Sequence, residues 1–413
     1  MAESAGTDVT GLKHRGRISQ LVTLSAVIAY TAGNAFMSGG LGVAGREIGL
    51  SAIETGSILS FGALAGVLAA PLWGHASDTT SRRLLLLLVV PLVAAGPAIA
   101  AAVFFWPWAL AASLAFPVLA GARLVQAASG AALIPIAQSL TTETTTPQQR
   151  VSGMGMLGVA ISLGTLAGSV LLWLTAGLGP GAGFAAVAGL GVAAFVLTVW
   201  LFRDRDRQPE MEPGERAVPL RLVWPNLAIT FLGFLAYTMV QPVLGFRFMD
   251  AFGLGSAEAA GNAGLVLTAA AVMLVIVQFL VAARKNWEAT PMLRTGSIAG
   301  LVGALLLWVA QDFIQLAAAM ALVGIALAFM SPANLAHMSL VTGRGAQGKL
   351  GGLNVAARGL GVAAGPICGT FLYVWQPEAP FVVAAMIVTI IVGLTRIMRT
   401  SPSPVTPSAA QSG

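Results

Sequence analysis

Twelve long runs of mostly apolar residues dominate this chain, at about 19–42, 54–74, 84–105, 109–139, 152–176, 182–202, 224–247, 262–283, 294–310, 313–340, 351–375 and 379–397. Each has the roughly 17 residues or more that cross about 30 Å of hydrocarbon. A water-soluble fold has no place for them. Of 413 residues, 57% are hydrophobic and 9% charged, with a mean hydropathy of +0.84, which is more apolar surface than a core can hide. Lipid offers backbone N–H and C=O groups no partner, so every run is expected to be a helix. The expected fold class is therefore all-α integral membrane, with twelve transmembrane helices.

The connecting segments carry charge unevenly. With the N-terminus in the cytoplasm, eighteen arginines and lysines between Lys13 and Arg399 lie inside, against Arg46 and Arg247 outside. That bias places both termini in the cytoplasm. It also accounts for the net charge of +6 without a nucleic-acid partner. The preference for arginine over lysine, with abundant Ala and Gly, points to a high-GC bacterial source and so to the bacterial cytoplasmic (inner) membrane. Residues 1–18 read as a solvated cytoplasmic tail in which no small-residue cleavage site is visible, so no cleaved leader is expected. Cys368 has no second cysteine to pair with, and its apolar setting suggests packing.

The second half repeats the first. Pro135 and Pro332 are separated by 332 − 135 = 197 residues and Gly155 and Gly352 by 352 − 155 = 197. At that offset Gly164 meets Gly361 and Gly168 meets Gly365. AYTAGN (Ala29–Asn34) likewise meets AYTMVQ (Ala236–Gln241). The division that follows is a tail at 1–18, a six-helix bundle at 19–202, a charged cytoplasmic linker at 203–223, a second bundle at 224–397 and a disordered Pro/Ser-rich tail at 398–413.

Several residues are candidates for function. Gly74–Arg83, GHASDTTSRR, joins spans 2 and 3. Gly74 permits close packing of a helix end, Asp78 can accept from helix N-termini or pair with arginine, and Arg82 and Arg83 hold the next helix at the cytoplasmic face. Arg123, mid-span, costs on the order of 3 kcal/mol or more unless it faces protein or water; Gln126 follows one turn later. Tyr30 and Asn34 share a helix face, as do Tyr237 and Gln241 in the repeat. Arg358 lies about 10 Å into span 11, on the face of Asn354. It is placed either to touch substrate, to bridge to Asp78, or to snorkel to the interface. Gly361, Gly365, Pro366 and Gly369 form a small-residue face with a bend, and Gly155, Gly164 and Gly168 a similar one in span 5. None of the 16 acidic residues falls mid-span. A cavity whose deep charges are arginines suits neutral or anionic compounds. His14, His75 and His337 are scattered and GxxxxGK[ST] is missing, so no enzyme, metal site, cofactor or ATP-driven step is expected.

The order Gly-x-x-Ser-Asp-x-x-Ser-Arg-Arg resembles the loop between helices 2 and 3 of the major facilitator superfamily, with Thr79 where that family usually has arginine and Ser81 where it has glycine. Arg123-x-x-Gln126 with Gly130 and Pro135 resembles the helix-4 motif of its drug-exporting branch, and the glycines of spans 5 and 11 resemble the antiporter motif, with Ser169 in place of its proline. The resemblance implies two pseudo-symmetric six-helix bundles (the major facilitator fold) rocking about a midplane cavity. It implies membrane lipid, a small-molecule substrate and protons as partners of a monomer, and most directly proton-coupled export. An uptake symporter and a non-transporting sensor or scaffold are the alternatives.

Overall fold

The structure, a computed structural model, describes residues 2–106, 112–144, 150–203, 220–283, 288–342 and 347–398, without the side chains of 2–15, 78, 112, 142–144, 150–154, 282–283, 342 and 347–348. Among these residues there are thirteen α-helices. The first half contains α1 (Ala2–Glu47), α2 (Ala52–Thr79), α3 (Arg82–Phe105), α4 (Ala112–Gly130), α5 (Leu133–Thr144), α6 (Arg150–Thr175) and α7 (Pro180–Leu201). The second contains α8 (Leu220–Asp250), α9 (Ser256–Ala283), α10 (Ala289–Val309), α11 (Phe313–Thr342), α12 (Gln347–Trp375) and α13 (Ala379–Ile397). Twelve stretches are long and apolar enough to cross a membrane, α4 and α5 together making one of them. The helix of α1 takes in the polar residues 2–18 read as tail, and most of the linker and the C-terminal tail lie outside the described residues.

Span 4 is two helices rather than one. Pro135 has no N–H for the carbonyl of Ala131, and its ring crowds that carbonyl. The ladder accordingly fails at Ala131–Ala132, where Ala132 N–H turns back to Ser129 O at 3.1 Å. Its repeat mate Pro332 sits inside an unbroken α11.

The two halves use the same pairings. In the first, α1 packs on α6, α2 on α4, and α3 on α7; in the second, α8 packs on α12, α9 on α11, and α10 on α13. Without a hydrophobic drive between helices in lipid, such contacts depend on close backbone approach at small residues. A Cβ at Gly164 would collide with Thr31 and the Ile28 backbone, and one at Gly168 with the Ala32 backbone. In the second half Gly365 meets Thr238, and Gly369 the Met239 backbone. These contacts align Gly164 with Gly365 and Gly168 with Gly369, one helical turn beyond the sequence offset. Glycines four apart give the same match when slid by a turn, so the sequence offset alone could not choose. Gly361 lies against Phe231 and Leu235 of α8, whereas among the described residues nothing lies within 4 Å of a Cβ built on Gly155. Gly155 is therefore no part of the α1–α6 seam.

The connection between α2 and α3 is also tighter than its polar sequence suggests. Gly74–Thr79 is the last part of α2, and Ser81 caps α3 by accepting from Leu84 N–H. Among the described residues nothing lies within 4 Å of a Cβ built on Gly74, so the close packing expected there is not found among them. The neighbours of this helix end lie on its other faces, where Trp73 Nε1 donates to Ala128 O of α4 at 2.6 Å and Ser77 is buried. Arg82 is buried and donates to Ser139 Oγ of α5 at 2.7 Å. Arg83 is exposed and reaches Val199 O of α7 at 3.4 Å. The side chain of Asp78 lies outside the described residues.

Candidate functional site

The halves meet along α1–α8, α2–α12 and α6–α9. The spans alternate in direction, so one end of the bundle carries the chain termini and the other, here the far end, the α1–α2 and α8–α9 turns. Contacts between halves gather at the far end. A Cβ at Gly42 would lie 3.0 Å from Pro242 O and 3.0 Å from Phe246 Cζ, and one at Gly264 2.7 Å from Trp173 N. Ile367 N–H, one residue past Pro366, donates across the seam to Ser60 Oγ at 2.9 Å. Arg46 of α1 and Asp250 of α8 close this end with a two-pronged ion pair at 2.6 and 3.1 Å. Tyr373 of α12 donates to the same carboxylate at 2.9 Å, and Arg46 lies over the Phe246 ring at 4.5 Å. At mid-depth Ser162 of α6 donates to Gln278 Oε1 of α9 at 2.9 Å.

Arg123 occupies the first half at mid-depth, 5% exposed. Its Nη1 donates to Asn34 Oδ1 of α1 at 2.6 Å and to Gln126 Oε1 of its own helix at 2.9 Å. Three glycines on three helices make the room. A Cβ at Gly62 of α2 would lie 2.5 Å from Arg123 Cγ; one at Gly33 of α1 or Gly96 of α3 would lie 2.7 Å from Gln126. The guanidinium is held by amides, with no carboxylate in its hydrogen-bond set among the described residues. Among these residues two donors of the cluster, Arg123 Nε and Gln126 Nε2, are buried without a hydrogen-bond partner. Tyr30 does not join Asn34 in a common polar face; its ring covers Gly130, where α4 ends.

In the second half Arg358 stacks on Phe234 of α8, its Cζ 4.6 Å from the ring centre. Phe234 is in the middle of α8, and Arg358 is 11 residues, about 16 Å, beyond the start of α12. Counted from Lys349, where the candidate span begins, Arg358 is 9 residues, about 14 Å, in, and Phe234 is its contact. Asn354 is drawn instead into a polar chain. It accepts from Thr230 Oγ1 at 2.7 Å, which accepts from Asn334 Nδ2 at 2.9 Å, while Asn226 Nδ2 donates to Asn334 Oδ1 at 2.6 Å and lies 3.3 Å from His337 Nδ1. The half-buried Tyr237 faces the buried Gln241 one turn on.

The sequence singled out Arg123, Gln126 and Asn34, and the structure brings these three together. It keeps Arg358 and Asn354 apart in their contacts. The Arg46–Asp250–Tyr373 closure and the Asn226–Asn334–His337 chain were not foreseen; the only sequence signal was that Arg46 and Asp250 sit at matching ends of α1 and α8.

Comparison with known proteins agrees with this fold. The family model described as Major Facilitator Superfamily matches twice, over residues 22–229 and 226–413, once for each half. Multidrug resistance protein 1 of Bacillus subtilis (strain 168) is 23% identical over 290 residues, covering 66% of this chain and 71% of that protein. Multidrug resistance protein 2 of the same organism is 22% identical over 291 residues, 67% and 72% of the two chains. Among solved structures, a D-xylose-proton symporter superposes with a TM-score of 0.71 at 15% identity, over 93% of this chain and 98% of that one. A bacterial homologue of the human lysosomal transporter Spinster, inward-facing and occupied, gives 0.69 at 14% identity over 92% and 97%. At these identities the superpositions speak for the fold. With twelve spans, two halves built on the same helix pairings and a family match over each half, this chain belongs to the Major Facilitator Superfamily.

Proposed function

We propose that the chain is a secondary active transporter in a bacterial cytoplasmic membrane, exporting a small hydrophobic neutral or anionic compound by alternating access in exchange for protons. The observation that carries this is the Arg123 cluster. A mid-span arginine costs on the order of 3 kcal/mol or more when unsatisfied, and here two of the cluster's donors are buried without partners. An arginine kept only to tie helices would have its donors paired; unpaired donors suit a group that changes partners as the halves move. On the positive-inside reading the termini are cytoplasmic, and the Arg46–Asp250 end is the outer one, closed in this arrangement. Export is favoured over uptake by the two multidrug resistance relatives. Proton coupling would pass through Arg123 or a peripheral acid, since the carboxylates lie at span ends.

The test is a compound screen in everted membrane vesicles energised to hold an acidic interior, read as collapse of the proton gradient. The expected result is collapse by hydrophobic neutral or anionic compounds with the wild-type protein and none with Arg123→Ala. Uptake of a solute into right-side-out cells, with no compound collapsing the gradient, would overturn export and leave a symporter.

A further inference from the structure

We propose that the second half holds a binding site for an amphipathic organic anion, its charged group on Arg358 and its apolar tail in a cavity between α8, α10, α11 and α13. The proposal rests on the transporter reading above and names the substrate chemistry within it.

Arg358 is exposed, yet it lies at mid-depth and stacks on Phe234. Among the described residues it has neither a hydrogen-bond nor an ion-pair partner. An arginine at that depth facing lipid would be costly. Its neighbours place it at the seam instead: the adjacent Gly359 abuts Val67 of α2, while Gly361 abuts α8. The surface it exposes is thus that of the crevice between the halves. Stacking on a ring engages the face of the guanidinium and leaves its N–H edges free. Those edges form the planar fork that binds carboxylate, sulfonate or phosphate two bonds at a time.

The same helix, α8, helps to line an apolar cavity of about 60 Å³, whose wall includes Gly233, Tyr237, Gly300, Met320, Met330 and Ile391. The Tyr237 hydroxyl is the one polar side-chain group in its wall. Tyr237 follows Phe234 by three residues, so the two share a face of α8. Its hydroxyl faces Gln241 and lies within electrostatic reach of Arg358, while its ring is cavity wall. Arg358 thus supplies an exposed cationic end, and the cavity behind the Tyr237 ring an apolar one.

The experiment uses the full chain in lipid nanodiscs and radiolabelled octanoate, with background from protein-free discs subtracted and unlabelled octanol, octylammonium and acetate as competitors. Octanoate is expected to bind saturably, with octanol and octylammonium each competing about tenfold less well or worse, the size of effect that losing one charge-assisted contact produces, and acetate, which keeps the carboxylate but lacks the apolar tail, at least as poorly. Arg358→Gln should weaken octanoate about tenfold and leave octanol unchanged; Arg358→Lys should fall between. Gly233→Leu fills the cavity at a point where a Cβ meets only Ile391, at 4.0 Å, and should weaken octanoate and octanol together. Octylammonium competing as well as octanoate, or octanoate affinity unchanged in either Arg358→Gln or Gly233→Leu, would overturn the site. Should Arg358→Gln fail to fold, the competitor series on wild type and Gly233→Leu decide. Octanoate bound as described while no compound moves in vesicles would keep the site and remove the transporter reading. Transport of another compound by wild type and Arg358→Gln alike, with no octanoate bound, would do the reverse.

Discussion

Arg123→Ala is expected to reduce transport in everted vesicles by about tenfold or more while the protein still reaches the membrane. The side chain joins α1, through Asn34, to its own helix, and it fills the space left by Gly62 of α2. A charge-assisted hydrogen bond contributes about 1.5–3 kcal/mol, and a buried acceptor left unpaired costs a further 1–3 kcal/mol or so. The variant therefore loses both the cation and the fixed position of Asn34. Arg123→Lys separates the two contributions. It keeps the charge but cannot reproduce the planar fork, so recovery of transport with lysine would assign the role to charge and its absence to geometry. Transport by Arg123→Ala at the wild-type rate would remove this residue from the mechanism.

A second large effect is expected at the glycine seams. Valine at Gly168 or Gly369 would drive a side chain into the backbone of Ala32 or Met239, where no flexible group can give way. Overpacking of a tight contact costs about 1–3 kcal/mol, and more when the backbone must move. Both variants should lower the thermal midpoint of the detergent-purified protein by several degrees and reduce membrane yield. Gly155→Val and Gly74→Val, with nothing within 4 Å of their Cβ positions, should leave the midpoint unchanged. Equal effects at all four positions would mean that helix propensity, rather than backbone contact, sets the outcome.

Much of the architecture is written in one-dimensional patterns. Apolar run length gives the spans because lipid imposes a length, and the glycine and AYT repeats give the two halves because the same packing is used twice. What could not be read depends on distance between segments far apart in the chain. Asn34 was paired with Tyr30 by helical spacing, but its hydrogen bond goes to Arg123 of α4. Arg46 and Asp250, 204 residues apart, form an ion pair that no local pattern announces. Pro135 breaks its helix and Pro332 does not. Gly130 stands five residues before the first and Leu327 before the second, so the break falls where the backbone is least committed to helix. Arg358 was placed by an estimated span boundary, and α12 starts about a turn earlier than that estimate.

The central claim is that the far end must open for transport to occur, and a reversible tether there tests it. In a Cys368→Ser background, cysteines at Arg46 and Asp250 would be bridged by a short bis-methanethiosulfonate reagent. Efflux of a compound found in the vesicle screen would be followed before bridging, after it, and after reduction. Transport by the unbridged protein, loss on bridging and recovery on reduction are expected. Undiminished transport with the two halves covalently fastened at this end would contradict it.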